Sequence, residues 1–226
     1  MMKITYFGHS AFLVQAKEFN ALIDPFLTGN PHTNITPDDF ENITHIFVTH
    51  GHNDHLGDTE IIAKKCNSLV ICNAEIADFL SQKGIKTHSM HIGGRKSFAF
   101  GTVKMTPALH GSGITSKEGM IEGGNPGGFV LEIEGKKIYH AGDTGLSMEM
   151  KLLERENIDL ALLPIGGNFT MDVEDAIVAT EFIKPKMVIP MHYKTFPVLE
   201  GSPEEFQNKI KDTEIKILNP GESFEF

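Results

Sequence analysis

One short segment of the chain has residue types and spacing suited to metal chemistry: His50-Gly51-His52-Asn53-Asp54-His55. Imidazole nitrogen and carboxylate oxygen are the usual donors for zinc and similar borderline cations. The apolar run Ile46-Phe47-Val48-Thr49 comes directly before, so the order is strand, sharp loop, helix. Side chains two apart on an extended strand end point the same way. His50 and His52 can therefore bind one cation together, while Asp54 and His55, further round the turn, face a second position. A polar surface loop would account for a lone histidine, but not for this spacing after an apolar strand.

The elements that must position these groups follow from pattern and punctuation. Strands are predicted at Lys3–Phe7, Ala11–Gln15, Ala21–Ile23, Ile46–Thr49 and Leu69–Ile71, each rich in Ile, Val, Phe or Leu and bounded by turn residues. Helices are predicted at Asp58–Lys65, with Asp58 as N-cap, and at Ala74–Lys83, between an Asn73 cap and the Gly84 stop. The second half repeats the scheme. A hairpin of Gly128–Ile133 and Lys137–His140 turns at Glu134-Gly135-Lys136. A helix at Met148–Glu156 and a buried strand at Leu160–Leu163 follow, then a helix at Val173–Ile183 and a strand at Val188–Pro190. Ser202-Pro203-Glu204-Glu205 reads as a capping box opening a helix from Pro203 to Lys211. Strands then helices, twice, indicates a mixed α and β chain, and two packed sheets with helices outside would satisfy it.

The segment His50-x-His52-x-Asp54-His55 resembles the H-x-H-x-D-H signature of the metallo-β-lactamase superfamily. The resemblance extends to His110, after Val103–Thr106, to Asp143 in His140-Ala141-Gly142-Asp143, and to His192 in Ile189-Pro190-Met191-His192. Gly8-His9-Ser10 and Gly167-Asn168-Phe169-Thr170-Met171 are similar to segments of the compact branch of metal-dependent hydrolases, which includes sugar-lactonase-like and N-acyl-phospholipid-cleaving relatives. The resemblance implies an α+β, four-layer α/β/β/α sandwich, with residues 1–226 as one domain. It implies that His50, His52 and His110 bind one cation, that Asp54, His55 and His192 bind another, and that Asp143 bridges them. Two oxygens suit a carboxylate to span two cations, and such a pair can share a hydroxide. The expected cofactor is therefore two divalent ions, zinc by default, with nickel, manganese or iron open.

The expected reaction is hydrolysis of an ester, lactone or amide of a small molecule by the bridging hydroxide. Asp54 or Asp143 would accept a proton, and His9 or a metal-bound water would supply one. His9 is left between added ligand and donor to the substrate; as a ligand it would favour metals of higher coordination than zinc. Asp24 is expected to hold the loop or orient a ligand histidine. Asn168, Phe169, Thr170 and Met171 are expected near the pocket. His140 is read as structural, and His32, His45, His88 and His91 have no partners at useful spacing. The glycine-rich stretch Gly111–Gly128 is read as a mobile loop over the metals.

Other chemistries fit less well. No Gly-x-Ser-x-Gly elbow is present, which disfavours a serine hydrolase. A phosphodiesterase acting on a small or lipid-like phosphodiester is the main alternative. Di-iron redox relatives place a Glu where this chain has His52, and a non-catalytic metal protein need not keep all seven ligands. The formal charge of −10 argues against nucleic acid, and Lys136, Lys137, Lys184, Lys186 and Lys194 read as solvated faces. Cys66 and Cys72 are too few for a disulfide framework. No stretch is apolar enough to span a membrane and no signal peptide is expected, so the cytoplasm is the default location. Oligomeric state stays open.

Overall fold

The computed structural model describes residues 2–226. They divide into two compact units that alternate along the chain. The first runs to Ile92 and adds Gly111–Pro126 and Asn219–Phe226; the second comprises Gly93–His110 and Gly127–Leu218.

The first unit is built on a seven-stranded sheet, in the order Ser223–Glu225, Lys3–Tyr6, Phe12–Ala16, Phe19–Ile23, His45–Phe47, Leu69–Asn73, Thr87–Met90. Pairing is antiparallel as far as Phe19–Ile23 and parallel beyond it. Parallel neighbours need crossovers, and here these carry helices α1 (Asn53–Leu56), α2 (Thr59–Cys66) and α3 (Ala74–Ser81). Ile62, Ala63, Ile76, Ala77 and Leu80 of α2 and α3 pack on Leu22, Ile46, Val48, Val70 and Cys72. Each fully buried Leu or Ile contributes about 1.5–3 kcal/mol. The alternate residues Ala21, Ile23, Phe47 and Ile71 are buried too, so these strands are apolar on both faces.

Two local expectations are corrected. Asp58 stands at the N-cap position of α2, but its side chain does not cap the helix. Its carboxylate instead accepts from Leu27 N–H (3.1 Å) and Thr28 N–H (2.8 Å), tying down the loop after Asp24. The glycine-rich stretch is not a bare loop: Ile114–Ser116 and Gly119–Ile121 form a hairpin. Asn73, which caps α3 through Ile76 N–H (2.9 Å), also donates to Gly123 O (2.6 Å) and Asn125 O (3.0 Å) at the hairpin's base. A Cβ on Gly123 would lie 1.7 Å from Ser112 O, so close backbone approach is what this glycine permits.

The second unit has its own seven-stranded sheet, ordered Glu214–Ile215, Met187–Met191, Leu160–Pro164, Lys136–His140, Gly127–Ile133, Gly101–Pro107, Arg95–Phe98. The hairpin turns at Glu134 (φ 51°) and Gly135 (φ 76°), the left-handed pair of a type I′ turn. Helix α4 occupies Val173–Ile183, as predicted, with Asp172 accepting from Asp175 N–H (2.9 Å). The helix expected at Met148–Glu156 is of the 3-10 type, and its buried Met150 and Leu153 stand three apart, the period of that helix. Helix α5 covers Pro203–Lys209; Ser202 accepts from Glu205 N–H (3.2 Å), while the Glu205 carboxylate pairs with Lys209 (2.8 Å) and so does not close the expected capping box. Val130, Tyr139, Ala161, Leu163 and Val188 from the sheet pack with Met150, Leu153, Ala176, Ala179, Ile183 and Phe206 from the helices.

Candidate metal centre

In the first unit the histidine motif begins where its strand stops. Thr49 N–H donates to Asp24 Oδ1 (2.8 Å) rather than to a neighbouring strand, so the pairing ends and His50 is released from the sheet. Asp24 is fully buried and ends the adjacent strand, with φ 45°. Its Oδ2 accepts from Thr49 Oγ1–H (2.6 Å) and from His55 Nδ1–H (2.7 Å). With the Thr49 hydroxyl hydrogen committed to Asp24, Thr49 Oγ1 accepts from His50 Nδ1–H (2.9 Å). One carboxylate thus fixes the tautomers of two imidazoles, directly for His55 and through Thr49 for His50. In each ring Nε2 is left as the basic nitrogen, the form that ligates a metal. Asp24, His50 and His55 also cluster closely enough to suggest a site of their own, but these hydrogen bonds make Asp24 a support for the two rings.

The donor spacing fits cations. Ligand bonds of about 2.0–2.2 Å put adjacent donors on one metal about 3 Å apart. His50 Nε2 and His52 Nδ1 are 3.1 Å apart. His52 is the N-cap of α1, and Asp54 and His55 lie on that helix. His9, fully buried in a turn with φ 56°, has its Nε2 3.1 Å from Asp54 Oδ2. Donor atoms of His9, Asp54 and His55 lie within 4.8 Å of one another. Tyr6 Oη–H donates to His9 O (3.1 Å) and holds the turn. Gly51 N–H donates to Ser112 Oγ (3.0 Å), anchoring the motif to the hairpin.

The second unit holds the remaining three expected ligands. Asp143 Oδ2 lies 2.9 Å from His192 Nε2 and 3.5 Å from His110 Nε2. Asp143 thus faces two imidazoles that come from different strand ends. His192 has φ 57°, and Gly166 lies against it: a Cβ there would be 2.1 Å from His192 O. His140 is buried and accepts from Gly142 N–H at Nδ1 (3.1 Å), so it shapes the turn that carries Asp143.

Asn168, Phe169, Thr170 and Met171 form a tight loop closed by Gly167 N–H to Met171 O (3.0 Å). Asn168 lines a cavity of about 570 Å³ with Gly166, Asp172, Glu200 and Ser202. Phe169 is exposed, Thr170 is half-buried, and Met171 is buried in the second unit's core, where it packs beneath the loop rather than facing solvent as expected of a pocket residue. Sequence reasoning missed Thr49, whose signal was its place beside His50, and Thr144, whose Oγ1 accepts from Leu109 N–H (3.0 Å). His45 packs at a tilt against Phe19, and burial pushes its pKa down.

Residues 3–192 match the family described as a beta-lactamase superfamily domain. The chain is similar to a UPF0173 metal-dependent hydrolase of Alkaliphilus metalliredigens, at 60% identity over 226 residues covering 100% of both. It is also similar to the UPF0173 metal-dependent hydrolase YtkL of Bacillus subtilis, at 50% identity over 227 residues, covering 99% of this chain and 100% of YtkL. Among solved structures, a metallo hydrolase of the hyperthermophilic archaeon Ignicoccus hospitalis has a TM-score of 0.90 at 37% identity, covering 100% of this chain and 99% of that one.

Proposed function

The chain belongs to the metallo-β-lactamase superfamily, with its α+β sandwich fold, and is a metal-dependent hydrolase; from that premise we propose that it cleaves an ester, lactone or amide of a small molecule with two divalent cations and a shared hydroxide. The observation that carries this reading is the buried Asp24–Thr49–His50 and Asp24–His55 network, which presents two ligand nitrogens in the basic form. We assign His50, His52 and His110 to one cation, Asp54, His55 and His192 to the other, and Asp143 to both. Each unit carries only part of that set, so residues 1–226 act as one functional domain. Zinc is the default metal, and His9 as a further donor would favour nickel, manganese or iron.

When bound, the cations lower the pKa of water towards about 7 and polarise the electrophile's oxygen. The chain's own groups manage the rest. Water is divided across the acyl–oxygen or acyl–nitrogen bond: its OH ends on the acyl carbon and its second proton on the leaving atom. In this reading Asp54 takes that proton, and His9, 3.1 Å from it, returns it to the leaving atom. Asp143, 2.9 Å from His192 and 3.5 Å from His110, holds those two imidazoles in register.

Plasma mass spectrometry on protein purified without chelator tests the metal set, with about two divalent ions per chain expected. Hydrolysis of p-nitrophenyl acetate should vanish in chelator and return with the metal. No bound metal after dialysis against zinc, manganese, nickel and iron would overturn the reading. Turnover of bis(p-nitrophenyl) phosphate with esters inert would replace it by a phosphodiesterase. His9→Ala separates two roles: loss of metal makes His9 a ligand, and retained metal with lost turnover makes it the proton donor. If both survive, His9 leaves the scheme.

A further inference from the structure

Three large apolar side chains of the second unit face solvent beside the ligand residues: Leu109 (58% exposed), Met148 (66%) and Phe169 (56%). Leu109 immediately precedes His110, and Thr144 immediately follows Asp143. Hydrogen bonds join the two segments: Leu109 N–H donates to the Thr144 side chain at Oγ1 (3.0 Å), and Gly145 N–H donates to Leu109 O (3.1 Å). Met148 opens the 3-10 helix that follows, one residue after its cap Ser147. Met171 N–H donates to Thr144 O (2.9 Å), which brings the Phe169 loop to the same point. That loop is closed on itself and passes through Asn168 at φ 56°, a left-handed turn conformation that Asn accommodates better than most non-glycine residues. It holds the phenyl ring out while the neighbouring Met171 is buried. Single exposed apolar residues are ordinary, but three on hydrogen-bonded segments around Thr144, which follows the candidate ligand Asp143, are a candidate binding surface.

We propose that Leu109, Met148 and Phe169 form an apolar subsite for the hydrocarbon part of the substrate, and that the substrate is a lipophilic ester, lactone or amide with a medium-length acyl or aryl group. This rests on the hydrolase reading above and names its substrate class. An uncharged, apolar substrate also suits a chain of net charge −10, which repels anions. The three residues hold no metal and move no proton; they determine which substrate is held, through contact area with its chain.

The test uses the full metal-loaded chain and p-nitrophenyl esters from acetate to octanoate. The ratio of kcat/KM for octanoate over acetate should be at least about tenfold, carried mainly in KM. Leu109→Ser and Phe169→Ser should each bring it to within about threefold of unity, and Met148→Ser should lower it less. The ratio is self-controlled, because damage to the ligand set lowers both esters together. A flat profile in the wild type, or a profile the variants leave unchanged, overturns the subsite. Binding gives an independent readout with nonan-2-one, a ketone that cannot be hydrolysed, against acetone. Saturable methyl shifts at Met148 and Leu109 with the long ketone alone support the subsite even if no ester is turned over, an outcome that would sink only the reaction. Shifts produced by phosphatidylcholine vesicles, or by raising protein concentration, and not by nonan-2-one would make the patch a membrane or self-association surface, and the proposal would fall.

Discussion

The two units present the proposed metal ligands in opposite ways. The first places His50, His52, Asp54 and His55 in one short stretch and fixes two of the rings through one buried carboxylate, Asp24. The second takes His110, Asp143 and His192 from beyond three different strands: Gly101–Pro107, Lys136–His140 and Met187–Met191. All three strands run in the same direction. Lys136–His140, Leu160–Pro164 and Met187–Met191 are parallel neighbours, and Gly101–Pro107 is antiparallel to Gly127–Ile133, itself antiparallel to Lys136–His140. Residues beyond their C-terminal ends therefore gather at one edge of the sheet. One ligand group depends on local geometry and a hydrogen-bonded support; the other depends on long-range register.

Removing a ligand is the harshest way to break this comparison. Asp143→Ala should cost about 10³-fold or more in kcat/KM, because groups that act as a unit fail together, and bound metal should fall with it. Retention of both metals with normal turnover would remove Asp143 from the centre. Next is the support. Asp24→Ala should weaken metal binding about 10–100-fold, measured by competition with a chelator, and lower stability by about 2–4 kcal/mol through the unmet donors it leaves buried. Thr49→Val sharpens the point, since it loosens His50 while leaving the Asp24–His55 bond; unequal loss of the two cations is expected.

In the second unit, Gly166→Ala pushes a Cβ against His192 O. A loss of about 1–3 kcal/mol in denaturant unfolding, together with weaker metal binding, would show that backbone register holds His192. The smallest effect is expected away from both ligand groups. Burial pushes the Glu156 carboxyl up, but hydrogen bonds and charge from Lys104 and Arg95 outweigh it and hold the pKa at about 2, against an ordinary 4.5. A carboxylate whose pKa falls on folding stabilises above its unfolded pKa and loses that contribution as pH drops through the folded value. Glu156→Gln should therefore cost about 1 kcal/mol at neutral pH. The gap from wild type should narrow below about pH 4.5 and close towards pH 2. A pH-independent gap would assign the loss to packing.

Residue spacing alone singled out the candidate metal-binding segment, and periodicity with caps located α3 and α4, because these features are local: a donor motif, a helical face, an Asn73 or Asp172 cap. Strand runs were also legible, although the strand before His50 ends at Phe47 and not at Thr49, since Asp24, 25 residues earlier, takes the Thr49 N–H. Only tertiary structure decided that Asp24 fixes two imidazoles, that Asp58 anchors the loop after Pro25, that the glycine stretch is a hairpin pinned by Asn73 and Ser112, and that Leu109, Met148 and Phe169 share connected backbone. Each joins residues far apart in sequence through hydrogen bonds whose partners no local pattern encodes. Local chemistry is written in the order of residues; the choice of distant partners is made by sheet register and burial when the chain folds.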